Sequence, residues 1–160
     1  NVDRALESRR YDFINAGVGF IDKMKIQQMK YHKYQDDKTG MWYQVLDSGE
    51  KKDNYVESSC SLMFAYSLLK GARLGYLSEE LLENGKKAFE GTISTVLLEK
   101  EGNLSLGKIC IMAGLNGLVT FNGDRNGTYE YYISELVGAD DPTATGPLMM
   151  ALSEMIKADK

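Results

Sequence analysis

Between Tyr55 and Tyr76 apolar residues occur on every side of a would-be helix: Cys60, Leu62, Met63, Phe64, Ala65, Tyr66, Leu68 and Leu69 are interrupted only by small serines. A helix with no polar face cannot sit at a surface, so this segment predicts an interior helix covered on most sides. Its neighbours are one-sided. From Tyr11 to Tyr34, Phe13, Gly17, Ile21, Met24, Gln28 and Tyr31 recur at steps of three or four, while Lys23, Lys25, Lys30 and Lys33 lie mostly elsewhere. The same spacing predicts a helix after Ser78, an N-cap type followed by Glu79 and Glu80 at the positive end of the dipole, with Leu81, Gly85, Ala88, Thr92 and Val96 on one face.

Outer, inner and outer helices in succession are what a ring of paired helices produces, since one member of each pair faces the core and the other lies outside it. The expected fold is therefore all-α and part of an α/α toroid, in preference to a compact bundle. Between about residues 101 and 120 the pattern changes: Gly102, Gly107, Gly114 and Gly117 break any helix, and Leu104, Leu106, Ile109 and Ile111 read as short strands. Gly146-Pro147 then opens a last apolar, interior helix to about Lys157, with proline in a first turn where its missing N–H costs nothing.

The length of 160 residues fits a single domain, 1–160, able to bury a core of its own. A net charge of -4 offers no broad basic surface, so nucleic acid is excluded as a partner. The apolar runs from Ile109 to Leu118 and from Leu148 to Ile156 are about half the roughly 20 residues that span a bilayer, which excludes a membrane crossing. Cys60, Cys110 and the single histidine, His32, show no metal-ligand spacing, so neither a metal nor a cofactor is expected. Both a buried thiol and a Cys60–Cys110 disulfide stay open for the cysteines. The start, Asn1-Val-Asp-Arg, shows no leader; a cytoplasmic protein, one whose leader was removed, and a piece of a longer chain are all compatible with it.

Two segments place aromatic and hydrogen-bonding side chains in a loop ahead of an apolar helix: Gly40 to Asp47 running into Asn54 to Ser59, and Tyr129 to Glu135 followed by Asp140 to Gly146. Loops on a rigid helical scaffold are where ligand chemistry tends to sit, so these two are the candidate site.

Five blocks carry a resemblance: Gly40-x-Trp42-Tyr-Gln44-Val-Leu-Asp47, Asn54-x-x-Glu57-Ser-Ser59-x-Ser61, Ala65-Tyr-x-Leu-x-Lys70-Gly-x-Arg73-x-Gly75, Tyr129-Glu-Tyr-Tyr-Ile133 and Gly146-Pro-Leu-x-x-Ala151-x-x-Glu154. In this order and spacing they resemble the C-terminal half of unsaturated rhamnogalacturonyl hydrolases, glycoside hydrolase family 105, related to the family 88 unsaturated glucuronyl hydrolases. The resemblance implies a six-hairpin α/α toroid of which this chain is about half. It also implies a substrate class, oligosaccharides left by polysaccharide lyases in pectin degradation, with unsaturated rhamnogalacturonan disaccharide first among them. The implied chemistry is hydration of a vinyl ether by an aspartic acid, in contrast to the paired carboxylates of ordinary glycosidases. That aspartate and a Trp/Arg/Gly/Asn/Trp motif lie N-terminal to the matched region in the family. No catalytic residue is therefore assigned here, and the chain alone is expected to be inactive. Pro142-Thr-Ala-Thr145 stands where the family more often has a basic or glycine-containing stretch.

The substrate-binding candidates are Trp42, Gln44, Glu57, Tyr131, Thr143 and Thr145. Trp42 either stacks on a sugar face or plugs the core, and Gln44 bonds sugar hydroxyls or loop backbone. Glu57, three residues after Asn54, has capping-box spacing and so a structural role beside the ligand one. Tyr131 belongs to a stacking wall or packs locally; Thr143 and Thr145 offer hydroxyls or cap the last helix. Half a toroid leaves Leu62, Met63, Tyr66 and Met149 without cover, so the expected partner is the missing N-terminal half or a second copy. The alternative is a non-catalytic carbohydrate-binding or protein-interaction helical module.

Overall fold

The structure, a computed structural model, describes residues 32–114 and 125–158. The chain divides into two compact units, Asn1–Lys33 and Tyr34–Lys160, and nearly all described residues belong to the second. The helix expected from Tyr11 to Tyr34 lies almost wholly outside the described residues, as does the stretch beyond Gly114 in which further strands were expected.

In chain order the second unit begins with β1 (Trp42–Tyr43), a 3₁₀ turn (Leu46–Ser48) and β2 (Val56–Glu57), which leads straight into α1 (Ser58–Arg73). Next come α2 (Glu79–Val96), the strands β3 (Leu97–Lys100), β4 (Asn103–Leu106) and β5 (Ile109–Cys110), and the short α3 (Tyr129–Ser134). β6 (Val137–Gly138) and α4 (Pro142–Ala158) complete it. The strands form three separate antiparallel pairs, β1 with β2, β3 with β4 and β5 with β6.

α1 lies between α2 and α4 and is the centre of the core, as its apolar composition requires. Leu62, Ala65, Leu68 and Leu69 are buried against Ala88, Phe89, Ala151 and Met155 of the two flanking helices. Each fully buried leucine stabilises the fold by about 1.5–3 kcal/mol relative to exposure. Leu62 was expected to lack cover and does not: it faces into this cluster and is fully buried. Tyr66 is half-buried, while Met63 and Met149 are 45% and 65% exposed. α2 buries the expected stripe, Leu81, Gly85, Ala88, Thr92 and Val96, together with Phe89.

α4 begins at Pro142, earlier than the Gly146-Pro147 start expected from sequence. The reason is local: Asp141 Oδ1 accepts from the Thr143 backbone N–H at 2.9 Å and caps the helix, and Pro142 takes the first helical position. Pro147 consequently lies inside the helix, where it has no N–H to offer the carbonyl of Thr143. α4 is interior only in part, since Met149, Met150, Leu152 and Ile156 are exposed.

Of the strands expected between 101 and 120, β4 and β5 fall in that interval, and β3 starts before it, where α2 ends. β3 and β4 form a hairpin closed by Glu101 and Gly102, both at positive φ, 55° and 79°. This is the geometry of a type I′ turn, the two-residue loop that matches strand twist.

Ser58 at the start of α1 donates to Lys108 O at 3.0 Å, and Asp140, just before α4, donates to Leu106 O at 2.9 Å. At the opposite end Arg73 and Glu154 meet at 2.6 Å. α1 and α4 thus run parallel, with α2 returning between them in sequence. This is the helix-pair arrangement of part of an α/α toroid, with both inner-helix N-termini at one end.

Candidate functional site

The N-terminal ends of α1 and α4 converge on the strand segment 105–111, and both candidate loops are fastened there. From the first loop Glu57 reaches across: its carboxylate accepts from Cys60 N–H at 2.7 Å and from Cys110 N–H at 2.9 Å, and the Ser59 hydroxyl lies 2.9 Å from each oxygen. From the second loop, Asp140 accepts from Leu106 N–H at 2.7 Å and from the Ser105 hydroxyl at 2.9 Å. The loops also touch directly, since the Tyr129 hydroxyl donates to Lys52 O at 2.6 Å under the Lys51 ammonium, which lies 4.9 Å from the ring centroid. The two segments singled out in the sequence are therefore one structural unit built around β5.

The candidate residues take distinct places in it. Trp42 is 1% exposed, its ring 4.9 Å from Phe64 in an edge-on arrangement and its backbone N–H bonded to the Ser61 hydroxyl at 3.0 Å. Packing is the role the structure gives it, and no face of the indole is open to a ligand from within this chain. Glu57 is 2% exposed and is itself the N-cap of α1, which differs from the capping box read from Asn54. Asn54 instead turns back, donating to Val45 O at 3.0 Å and Ser48 O at 2.7 Å, because β2 separates it from the helix. Gln44 approaches Cys110, its Nε2 3.3 Å from the sulfur. The Tyr131 hydroxyl both donates to Gly114 O at 2.8 Å and receives the Gly114 N–H at 3.0 Å, pinning the segment after β5 to α3. The Thr143 hydroxyl is bound to Asp141 Oδ1 at 2.6 Å and supports the cap, and Thr145 is half-buried in the first turns of α4.

The acids and thiols here are committed to structure. Asp141 is held below the ordinary carboxylate range by the Thr143 hydroxyl and then its N–H. Burial, with the Glu57 carboxylate adding to it, pushes the Cys60 thiol well up, and burial likewise raises Cys110 against the bonds from Tyr55 and Gln44. Both thiols are therefore protonated at neutral pH and neither is a thiolate nucleophile. The Tyr55 hydroxyl is buried next to Cys110 without a hydrogen bond of ordinary geometry among the described residues, and its ionisation is pushed far up, first by that burial. No cluster of three or more potential metal ligands occurs among the described residues.

Beside this scaffold lies a cleft of about 560 Å³, walled by Ile111, Met112, Leu136 and Val137 and bearing two charged groups, Arg125 and Glu135. Neither charged residue was singled out in the sequence; an arginine in a glycine-rich loop and a glutamate ending a tyrosine run carry no periodic signal there. Asp140 and Cys110, which tie the loops together, were likewise legible only as a loop acid and an apolar-run cysteine.

Residues 20–159 match the family model of Glycosyl Hydrolase Family 88. The chain belongs to that family. Among curated relatives of this family 88 member are Protein Atu3128 of Agrobacterium fabrum and the 24.9 kDa protein in the picA locus of Rhizobium radiobacter. Each is 44% identical over 123 residues, covering 73% of this chain and 52% of the relative. The chain thus spans about half the length of the curated relatives it matches. Among solved structures it is similar to a glycoside hydrolase from family 105 of C. acetobutylicum, at 42% identity and a TM-score of 0.80, over 87% of this chain and 38% of the other. A possible family 105 member from Salmonella enterica, at 21% identity and a TM-score of 0.69, shares the fold. Among the described residues of this family 88 chain no helix is long and apolar enough to cross a membrane.

Proposed function

We propose that the 160 residues form a single domain, the C-terminal part of a hydrolase that removes a 4,5-unsaturated uronic acid from the non-reducing end of lyase-generated oligosaccharides. The preferred substrate is unsaturated rhamnogalacturonan disaccharide, which places the protein in pectin degradation, and the reaction is hydration of the vinyl ether. The observation that carries this reading is the match over residues 20–159 together with 42% identity to a family 105 hydrolase at a TM-score of 0.80. In this reading Gln44, Thr143 and Thr145 edge the substrate cleft, while Trp42, Glu57 and Tyr131 position the loops that form it. The exposed row on α4, Met149, Leu152 and Ile156, is covered by further helices of the toroid in the longer protein or by a second copy. The compartment we propose is the cytoplasm.

One observation favours the alternative of a non-catalytic module for the chain by itself. Glu57, Asp140 and Asp141 spend their carboxylates on backbone and hydroxyl donors, and Glu154 on Arg73 and Lys157. Asp141 and Glu154 are held below the ordinary carboxylate range, first by the Thr143 hydroxyl and by Arg73 respectively, the reverse of what a general acid at neutral pH requires. The test follows the loss of ultraviolet absorbance of unsaturated rhamnogalacturonan and glucuronyl disaccharides, comparing this chain with a reading frame extended upstream. Activity in the extended protein alone is expected. Inactivity of both would refute the hydrolase reading, and activity in this chain would mean an acid of its own, with Glu135 the first to replace.

A further inference from the structure

We infer that Asn126 is a site of spontaneous covalent modification, converted through a succinimide to aspartate and isoaspartate, and that the isoaspartyl form releases the cap of α3. The reaction needs only water. The Gly127 backbone nitrogen bonds to the side-chain carbonyl carbon of Asn126, the amide C–N bond there breaks, and ammonia leaves with the Gly127 proton. Water then adds to either carbonyl of the imide ring and that ring C–N bond breaks, giving back an amide and a carboxylate with no change in oxidation state. Breakage on the side-chain side leaves aspartate. Breakage on the main-chain side leaves isoaspartate, in which the chain runs through the former side chain and is longer by a methylene.

Asparagine reacts this way most readily ahead of glycine, which has no side chain to obstruct the attacking nitrogen. Of the Asn-Gly pairs in the chain, Asn84-Gly85 and Asn126-Gly127 fall among the described residues, and the fold treats them oppositely. The Asn84 amide donates to Gln35 Oε1 at 2.7 Å and its backbone carbonyl accepts from Gln35 Nε2 at 2.9 Å. The Gly85 nitrogen is buried within α2 and committed to its ladder, so reaction there requires the helix to open. Asn126 and Gly127 are exposed and outside any helix or strand, with Gly127 at φ 75°. Among the described residues no backbone carbonyl accepts from the Gly127 N–H. Asn126 Oδ1 accepts from the Thr128 N–H at 3.0 Å, a bond that turns the side chain back over Gly127 and draws electrons from the carbon under attack.

The same residues start α3. The Thr128 hydroxyl accepts from Tyr131 N–H at 3.2 Å, and beyond it Tyr129 and Tyr131 hold Lys52 O and Gly114 O at 2.6 and 2.8 Å. In isoaspartate the oxygen that held the Thr128 N–H becomes part of the lengthened main chain, which moves Thr128 off the helix it caps. The aspartyl form keeps both the acceptor and the chain length.

The test incubates the 160-residue chain at mildly alkaline pH, folded and in urea, and follows each asparagine by tryptic peptide mapping with electron-transfer fragmentation. Trypsin cuts after Arg125, which separates Asn126 from the Asn-Gly pairs at Asn116 and Asn122. In the folded chain Asn126 is expected to convert at least about tenfold faster than Asn84, the factor that about 1.4 kcal/mol of local opening in α2 imposes. In urea the two rates should converge. Asn126→Gln, whose longer side chain closes the ring poorly, should abolish conversion in that peptide, and at an exposed loop position it should leave the fold intact. The isoaspartyl product, separated by anion exchange and identified by isoaspartyl methyltransferase labelling, should exchange its Tyr131 amide about fivefold faster than the unmodified chain, the loss of one helix cap. Asn126→Asp, which has the charge without the longer chain, should keep the unmodified rate. Equal conversion of Asn84 and Asn126 in the folded chain, conversion confined to the other pairs, or an isoaspartyl form whose Tyr131 amide is as protected as before would overturn the inference.

Discussion

Replacing Glu57 with alanine should unfold the loop end of the domain well before the helices themselves are challenged. Three losses add. The cap on α1 is removed when Cys60 N–H loses its acceptor, at about 1 kcal/mol. The Cys110 N–H loses its acceptor in a half-buried strand, at about 1 kcal/mol. A side chain only 2% exposed leaves a small void, at about 1 kcal/mol more. The sum, about 3 kcal/mol, corresponds to roughly 9 °C in Tm for a domain of this size. Glu57→Gln keeps the volume and one acceptor oxygen but turns an amide donor toward a backbone N–H, so it should cost less, about 1–2 kcal/mol. Thermal unfolding followed by circular dichroism gives the shifts, and amide exchange at Cys60 and Cys110 shows whether protection fails there first. If Glu57→Ala lowers Tm by less than about 2 °C, the carboxylate is not what holds β5 to α1. If the glutamine and alanine variants behave alike, the acceptor geometry is not what matters.

Two further predictions concern the opposite end and the backbone. Glu154, 4% exposed, is held below the ordinary carboxylate range by the bond from Arg73 first, partly offset by burial, and then by Lys157. A depressed carboxylate stabilises the fold above its unfolded value and loses that contribution as pH falls through the folded one. Glu154→Gln should therefore cost about 1–2 kcal/mol at pH 7, limited by screening at the one-third exposed Arg73, and nearly nothing in strongly acidic solution. Urea midpoints whose wild-type-to-variant gap is constant down to acid pH would contradict this. Gly91→Ala drives a methyl into the Thr39 carbonyl oxygen, so it should cost about 3 kcal/mol or more, whereas Gly102→Ala meets nothing within 4 Å and is opposed only by its φ of 79°, about 1 kcal/mol. Reversal of that order in denaturant titrations would show that the 36–41 loop gives way freely.

The sequence by itself determined α1 and α2 and the faces they bury. Leu81, Gly85, Ala88, Thr92 and Val96 are the buried stripe of α2, and the apolar run from Cys60 to Leu69 is the helix between two others, because helix periodicity and desolvation act within a single segment. It also marked the two segments that meet at β5, through their density of aromatic and polar residues, but it read the second as loop where Tyr129–Ser134, capped by the Thr128 side chain, forms α3 and Pro142 to Gly146 form the start of α4. Only the tertiary structure decided what each side chain does there. Glu57 and Asp140 differ little in sequence from any loop acid; their roles come from backbone donors of Cys110 and Leu106, 53 and 34 residues away along the chain. Trp42 became core because Phe64 and Ser61 close over it, and α4 gained a turn because Asp141 caps it ahead of Pro142. Arg125 and Glu135 share a cleft because β5 pairs with β6. Long-range pairing of this kind leaves no period in the chain, so what the site binds is written in contacts that exist only after folding.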